Sequence, residues 1–525
     1  MRPLRGQLIR KASRRPAGDR QNLLSDRRYC LKPVNSGGHS AYQKLLLEQL
    51  RKHYPDALTR FSQSTWEVID KFYNLDLSAV DELMKDRYSH FGPAPRLPSD
   101  MLRCYMVSLV MKKPAITAWC NELKHNRLAA IISGFDPDDT PGVGTFYDFF
   151  DRLWMSSSDN FRPHAHKPPE RKVKKPDNPD DKAEPIEKIT VAELIENLKA
   201  SPPTAEQPFS KLFEIFDQLF LRHSVKLGLI DLDRLVLSGD GTPVQTMARN
   251  RYRRLCTCLE QGIRDCKCNR YYSQPDTDCG YDSSRHRFYY GYDLYMLTAA
   301  DSKNDLPVFP LLGPGSRHDS FGLCHTYAVM KAFIKDANIT EALLDSAHDA
   351  MAIYEYCNDN SIASIIDLNE RNGVNFKYKD CYTVGKDGIP VCQAGLKLIR
   401  DGIEKGRKRI KYRCANCYHK DGIHCDHKCS DSDYGLVVHT PTKDNPRFFT
   451  IPPRESKEWI EEYKKRTSSE RCNKREKDDY NLEDGRHRST KMWYCRLYCI
   501  MMCQHLDAWS PYHASSVKEL MPQAA

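Results

Sequence analysis

The order of apolar runs predicts an α/β fold, helices packed on a sheet, preceded by an all-helical N-terminal region and interrupted by a β-rich insertion. Three observations predict it. Between residues 209 and 370 the runs read strand, strand, strand, helix, strand, helix, strand. Residues 40–155 are filled by amphipathic stretches such as "AYQKLLLEQLRKHY" and "AITAWCNELKHNRLAAIISGF", which repeat at helical spacing. From 371 to 455 the apolar runs become short and strand-like, as in "RIKYRC" and "GLVVHT".

In chain order, residues 1–39 form a basic arm, with Arg2, Arg5, Arg10, Lys11, Arg14, Arg15, Arg20, Arg27 and Arg28 set against Asp19 and Asp26. Such an arm suits DNA phosphates, but an organelle transit peptide or a functionless tail shares its composition. In the helical region, 40–155, Pro98 stands ahead of a run that "SD" at 99–100 is expected to cap. "GTFYDFFDRLW" closes this region, which reads either as a DNA-binding helical domain or as an ordinary bundle. Residues 156–208 are rich in Pro, Lys and Asp and are expected to be a linker holding one short helix, "TVAELIENLKA".

A new domain is expected to begin near 209. "RLVLSGD" is expected to be a strand ending at Asp240, "RFYYGYDLYMLTAAD" a second and "LPVFPLL" an edge strand, since its prolines cannot donate to a ladder. A Cys-rich insertion occupies 250–288. Helix "SFGLCHTYAVMKAFIKD", strand "EALLD" ending at Asp345, helix "HDAMAIYEYCNDN" and strand "ASIIDL" complete the first part, to 370. The β-rich insertion spans 371–455, a C-terminal helical part of the same core 456–510, and a tail 511–525.

At 525 residues the chain is expected to be too long for one core and to form two to four domains, and 40% hydrophobic residues permit real cores. A net charge of +10 points toward polyanions. The most apolar segment, "CYMVSLVM" at 104–111, is far shorter than the roughly 18 residues of a spanning helix, so no membrane partner is expected. No apolar segment of signal-peptide type follows the basic arm, so the 20 cysteines are expected to stay reduced in the cytoplasm.

Chemistry concentrates in "YKKRTSSERCNKREK", residues 463–477. On one continuous helix, from about Glu455 to Lys477, the spacing of Tyr463, Arg466, Glu470 and Lys477 brings all four to one face. A solvated surface would use the same residue types, but two acids elsewhere give the stripe partners. Asp240 and Asp345 at strand ends and Glu470 on a following helix are the oxygen donors that hard Mg²⁺ or Mn²⁺ prefers. Two such ions about 4 Å apart can activate an attacking oxygen and stabilise a leaving one. Asp349, four residues past Asp345, competes for the ligand role, while His318 and Asp319 either support the site or satisfy a turn.

"LSGDGTPV", "YYGYDLYMLTAADSKNDLPVFPLLGPGSRHDS", "LLDSAHDA" and the Y-(2)-R-(3)-E-(6)-K signature together resemble a bacterial DDE transposase of the insertion-sequence-four type, over roughly residues 85–505. The strand and helix order likewise resembles an RNase H-like fold. The resemblance implies that Asp240, Asp345 and Glu470 bind the catalytic metals and that Tyr463, Arg466 and Lys477 hold DNA phosphates. It implies metal-dependent cleavage at transposon ends, then strand transfer by the freed 3′-hydroxyl, by a homodimer associated with the bacterial nucleoid. Where relatives read D-x-G-Y-D, this chain has Ala347 and His348 in "DSAHD". Two alternatives stay open: an RNase H-like nuclease without strand transfer, and an inactive, domesticated transposase serving as a zinc-containing DNA-binding protein.

Two cysteine clusters suggest structural zinc, with free thiols or an iron–sulfur cluster as alternatives. The first is Cys256, Cys258, Cys266 and Cys268, with Cys279 and His286 downstream. The second is Cys414, Cys417, Cys425 and Cys429, with His419, His424 and His427 as further candidate ligands. "CRLYCIMMC" at 495–503 has apolar helical company and reads as buried core cysteine.

Overall fold

The computed structural model describes residues 38–89, 94–161, 166–167, 189–247, 253–254, 257–264, 270–271, 274–418, 424–427 and 429–521. The basic arm up to residue 37, linker residues 162–165 and 168–188, and much of the first cysteine cluster lie outside these residues. The N-terminal region is helical: α1 (Gly38–His53), α2 (Gln63–Tyr73), α3 (Ser78–Leu83), α4 (Pro98–Val110), α5 (Ile116–His125), α6 (Arg127–Ile132) and α7 (Val143–Leu153). Ser62 caps α2 and Asn126 caps α6 through side-chain oxygens that accept backbone N–H groups. The cap expected at Ser99–Asp100 is replaced. Pro98 already opens α4, and Asp81 of α3 accepts from Ser99 N (2.8 Å) and Ser99 Oγ (2.9 Å), satisfying the helix start from outside.

Helix α8 (Val191–Ala200) opens on a capping box of Thr190 and Glu193. Helices α9 (Ser210–Phe216) and α10 (Arg222–Lys226) follow, joined by a π turn at Asp217–Leu221. The sheet is built from β1 (Leu235–Gln245), β2 (Asp278–Asp282), β3 (Arg287–Ala299), β4 (Pro307–Pro314), β5 (Ile339–Leu344) and β6 (Ala363–Ile366). Helix α11 (Asp319–Phe333) precedes β5, and α12 (Met351–Asp359) lies between β5 and β6. The strands run β2–β3–β1–β5–β6, with β4 also paired to β3. The β1–β3 and β3–β4 ladders are antiparallel, and β1–β5 and β5–β6 are parallel. Strand β1 does not stop at Asp240. Its antiparallel partner continues the ladder to Gln245 opposite Gly291, so Asp240 sits within the strand.

Alternation along the strands feeds two cores. Leu235, Leu237, Leu344 and Ile366 join the large core, whereas Val236, Leu343 and Ile365 face the other way against Trp459 and Tyr463. The insertion folds into two three-stranded antiparallel sheets. One is β7 (Phe376–Tyr378), β8 (Tyr382–Val384) and β9 (Pro390–Val391); the other is β10 (Ile399–Glu404), β11 (Arg409–Arg413) and β12 (Val437–Pro441). They share a separate core around Tyr378, Tyr412, Phe448 and Phe449.

The single helix expected over Glu455–Lys477 is divided into α13 (Lys457–Lys464), α14 (Thr467–Lys474) and a π turn (Arg475–Asp479). At the junction Arg466 N bonds Tyr463 O and Ser469 N bonds Arg466 O, three residues back rather than four, so the turn is tightened; the π turn is then loosened. Helix α15 (Thr490–Ala508) is buried over nearly its whole length and packs against α4, α7, α9 and β4. Cys495, Cys499 and Cys503 lie in that core, as their apolar company predicts. Among the described residues no helix is long and apolar enough to cross a membrane.

Candidate active site

The parallel ladder sets Ser238 of β1 opposite Leu343 of β5. Two residues further on, Asp240 and Asp345 come level at the carboxyl end of β5, on the face that α13 and α14 cover. Small hydroxyls let α14 lie close to this face: Ser238 Oγ donates to Arg466 O (2.7 Å) and contacts Ser469 Oγ (2.8 Å), and Thr298 Oγ1 meets Ser468 Oγ (3.1 Å). Asn473 of α14 then donates its Nδ2–H to Asp240 Oδ2 (3.0 Å). Burial, followed by the carboxylates of Asp319 and Asp345, pushes Asp240 up to about 7, which Asn473 only partly offsets.

Asp345 behaves oppositely. Burial opposes its charge, yet bonds from His348 and Ala347 N and the nearby Arg466 hold its carboxyl below the usual range. His348 Nδ1 stands 2.6 Å from Asp345 Oδ1, and the hydroxyl of Tyr295 stands 2.8 Å from His348 Nε2. An ionised carboxylate only accepts, so Nδ1 carries the proton and Nε2 accepts from Tyr295. Glycines make room for this chain: a Cβ on Gly239 would lie 2.6 Å from the Tyr295 hydroxyl, and one on Gly322 of α11 would lie 2.6 Å from its ring.

Two further acids sit on the opposite face of the sheet. A Cβ on Gly241 would lie 2.2 Å from Asp319 Oδ1 and 3.1 Å from Asp293 Oδ1, so both carboxylates converge on the space that this glycine leaves. Asp293 is 5% exposed, and burial together with Asp319 pushes it well above the carboxylate range, with Arg317 and Lys477 pulling the other way. Burial also raises Asp319. Sequence reading singled out Asp319 but missed Asp293; a lone acid inside the apolar run "YGYDLYML" was the available signal. Neighbouring His318 caps α11 through Nδ1, which accepts from Ser320 N (3.3 Å).

The four signature residues do not share one environment. Tyr463 stacks on Trp459 with ring centroids 4.9 Å apart, and the Arg466 guanidinium lies 5.6 Å from the Tyr463 ring centroid. Arg466 Nη1 pairs with Glu470 Oε1 at 2.8 Å, and the Glu470 side chain is 50% exposed. Thus Asn473, one turn further along, is the α14 side chain that touches Asp240. Lys477 falls in the π turn, where the loosened winding directs it toward Asp282, Glu483 and Arg285; burial lowers its ammonium from the usual range. Asp349 is not free to act as a ligand, because Arg447 grips both of its carboxylate oxygens.

Of the second cysteine cluster, Cys414 and Cys417 lie together over Gly435, where a Cβ would approach Cys417 Sγ to 2.7 Å. Cys425 and Cys429 both direct their sulfurs at His427 O (3.7 and 3.6 Å), and His427 Nδ1 is 3.1 Å from Cys429 Sγ. Burial, then the thiols of Cys392, Cys414, Cys425 and Cys417, raises Cys429 from its ordinary value, which brings in Cys392, a residue the sequence clusters had left out. Cys256, Cys266, Cys268 and His419 lie outside the described residues, and Cys258 sits in the turn at 257–264. Cys279 is on β2, and His286 is in the turn leading to β3. Among the described residues no group of three or more His, Cys, Asp or Glu is arranged to hold a metal ion. No protein-family model matches this chain, and no curated protein matches it.

Proposed function

We propose that this protein is a DDE transposase with an RNase H-like catalytic core, cleaving DNA at transposon ends and joining the 3′-hydroxyl to target DNA. The observation that carries the reading is the level placement of Asp240, within β1, and Asp345, at the end of parallel β5, beneath α13 and α14, the pair of helices that bears Tyr463, Arg466 and Glu470. Strand order β4–β3–β1–β5–β6, with the first three antiparallel and the last three parallel, is the order such a core uses. The aspartate pair suits a hard divalent cation: it offers oxygen donors, and a cation would offset the burial, and the repulsion from Asp319 and Asp345, that raise Asp240. Mg²⁺ or Mn²⁺, when bound, supplies activation of water or a 3′-hydroxyl and stabilisation of the leaving oxygen.

In this reading the chain's own groups set the geometry. His348 and Ala347 N fix Oδ1 of Asp345, leaving Oδ2 for the cation, and Asn473 aims Asp240. The Arg466 fork suits a DNA phosphate, and on meeting one it releases Glu470 to act as the third acid. The aromatic stack under Tyr463 holds its hydroxyl at the same edge. Structural zinc at Cys414, Cys417, Cys425 and Cys429 would staple the loop between β11 and β12. Double-stranded DNA and a second copy of the chain are the partners, in the bacterial cytoplasm.

The Arg466–Glu470 pairing also favours a second reading, an inactive relative that only binds DNA, because the third acid is neutralised where it stands. Strand cleavage and joining on duplex DNA taken from the flanks of the reading frame, with Mg²⁺ or Mn²⁺, separates the two. Metal-dependent joined products that disappear in Glu470→Gln support the transposase. Cleavage without joining makes it a nuclease, and equal binding with no cutting by either protein leaves the DNA-binding reading.

A further inference from the structure

The turn carrying Asp345 is tied down on its far side by the β-rich insertion. Asp349 closes this turn, and its side chain is fully buried. Its carboxylate takes four hydrogen bonds: Arg447 Nε to Oδ1 (2.8 Å), Arg447 Nη2 to Oδ2 (2.7 Å), Tyr354 Oη to Oδ1 (3.0 Å) and Asn369 N to Oδ2 (2.7 Å). Asn372 Nδ2 donates to Asp349 O (2.6 Å) and Asn369 Nδ2 to Ser346 O (3.4 Å), so the turn backbone is held as well. Arg447 belongs to the segment that leaves the insertion after β12.

A second arginine on that segment completes the tie. Arg454, 2% exposed, donates Nε to Arg447 O (2.6 Å), Nη1 to Ile366 O at the end of β6 (2.8 Å) and Nη2 to Tyr354 Oη (3.0 Å). Two residues later Ser456 caps α13. One run of chain therefore fixes both the loop that presents Asp345 and the start of the helices that present Tyr463, Arg466 and Glu470. An insertion serving only to fill space would need no buried arginine fork on the residue that closes an active-site turn, where a lost partner leaves a charge stranded.

We propose that Arg447 and Arg454 are positioning residues through which the insertion sets the geometry of the candidate active site, Arg447 through Asp349 and the Asp345 turn, Arg454 through the start of α13. This rests on the metal-binding reading of Asp240 and Asp345. The two are tested separately by titrating the full chain with Mn²⁺ alone, followed by electron paramagnetic resonance, and by measuring the metal dependence of DNA cleavage. Parent, Asp240→Asn, Arg447→Lys and Arg454→Lys are compared, with circular dichroism confirming the fold of each. Lysine keeps the charge but loses the fork.

If the parent binds Mn²⁺ and Asp240→Asn does not, the metal reading stands. The positioning role then predicts that Arg447→Lys weakens Mn²⁺ binding about 10- to 100-fold and raises the metal concentration for half-maximal cleavage in step, with DNA affinity little changed. Arg454→Lys is expected to lower the cleavage rate at saturating metal. A folded Arg447→Lys protein with parental Mn²⁺ affinity overturns the proposal while sparing the metal reading. A parent that binds no Mn²⁺ overturns both. Should Arg447→Lys not fold, Asp349→Asn, which keeps the shape and weakens the pair, carries the same expectation and the same refutation.

Discussion

Glu476 shows how one side chain sets a pH dependence. It is fully buried in the π turn after α14, neither carboxylate oxygen has a hydrogen-bond partner, and burial pushes its carboxyl up to about 8 despite Lys477 and Arg475. In the unfolded chain the group ionises in the ordinary carboxylate range, so folding takes up a proton between that range and about 8. Stability accordingly falls as pH rises across this window. Glu476→Gln removes the cost, on the order of 3 kcal/mol at pH 7, and its advantage over the parent should grow from pH 5 to pH 8 in denaturant melts. Tyr295→Phe works in the other direction. It leaves the buried Nε2 of His348 without a donor and should cost about 1–3 kcal/mol, measured the same way. The level placement of Asp240 and Asp345 was legible because each follows an apolar strand run, whereas the pairing of Glu470 with Arg466 was not. Asp293, Asn473 and Arg447 were not, since each owes its role to strands or helices distant in sequence.

Among elements, the alternation of strand and helix from β3 to β6 was readable because period-2 and period-3.6 patterns survive in a half-buried sheet, whereas α9, α10 and the short strand β2 were not read. Two boundaries were not. Asp240 looked like a strand end because Gly241 and Pro243 follow it, and only the antiparallel partner β3 shows that the ladder continues. The signature helix looked continuous because nothing in "YKKRTSSERCNKREK" breaks a helix; its tightened turn at Arg466 comes from packing Ser468 and Ser469 onto the sheet. Ser456 fixes where this composite helix starts, its Oγ accepting from Trp459 N at 3.2 Å. Ser456→Ala should lower stability by about 1 kcal/mol in denaturant melts.

At the level of the molecule, composition suggested separate helical and catalytic bodies, yet one hydrophobic core runs through both. Helix α15 is the reason, since it touches α4 and α7 on one side and α9 and β4 on the other. Polar ties reinforce it: Lys491 bonds Asp159 (2.7 Å) and Asp151, and Lys71 of α2 bonds Asp507 (2.5 Å). Sequence pattern could identify α15 as buried but not name the elements that bury it. The N-terminal helices and the sheet should therefore melt in one calorimetric transition. Leu497→Ala, at a fully buried point of α15, should shift that transition as a unit, with a cost of about 2–5 kcal/mol.

The burial of α15 also orders events during synthesis. The helices at 38–153 and the sheet leave the ribosome with their shared apolar faces uncovered, since the helix that joins them is translated after both. Half-made chains are thus the aggregation-prone species, the ones for chaperones to hold. Because Arg496 of that late helix also anchors Tyr480, Asn481 and Leu482 through their backbone oxygens, the loop that follows the signature helix stays unfastened until translation reaches it.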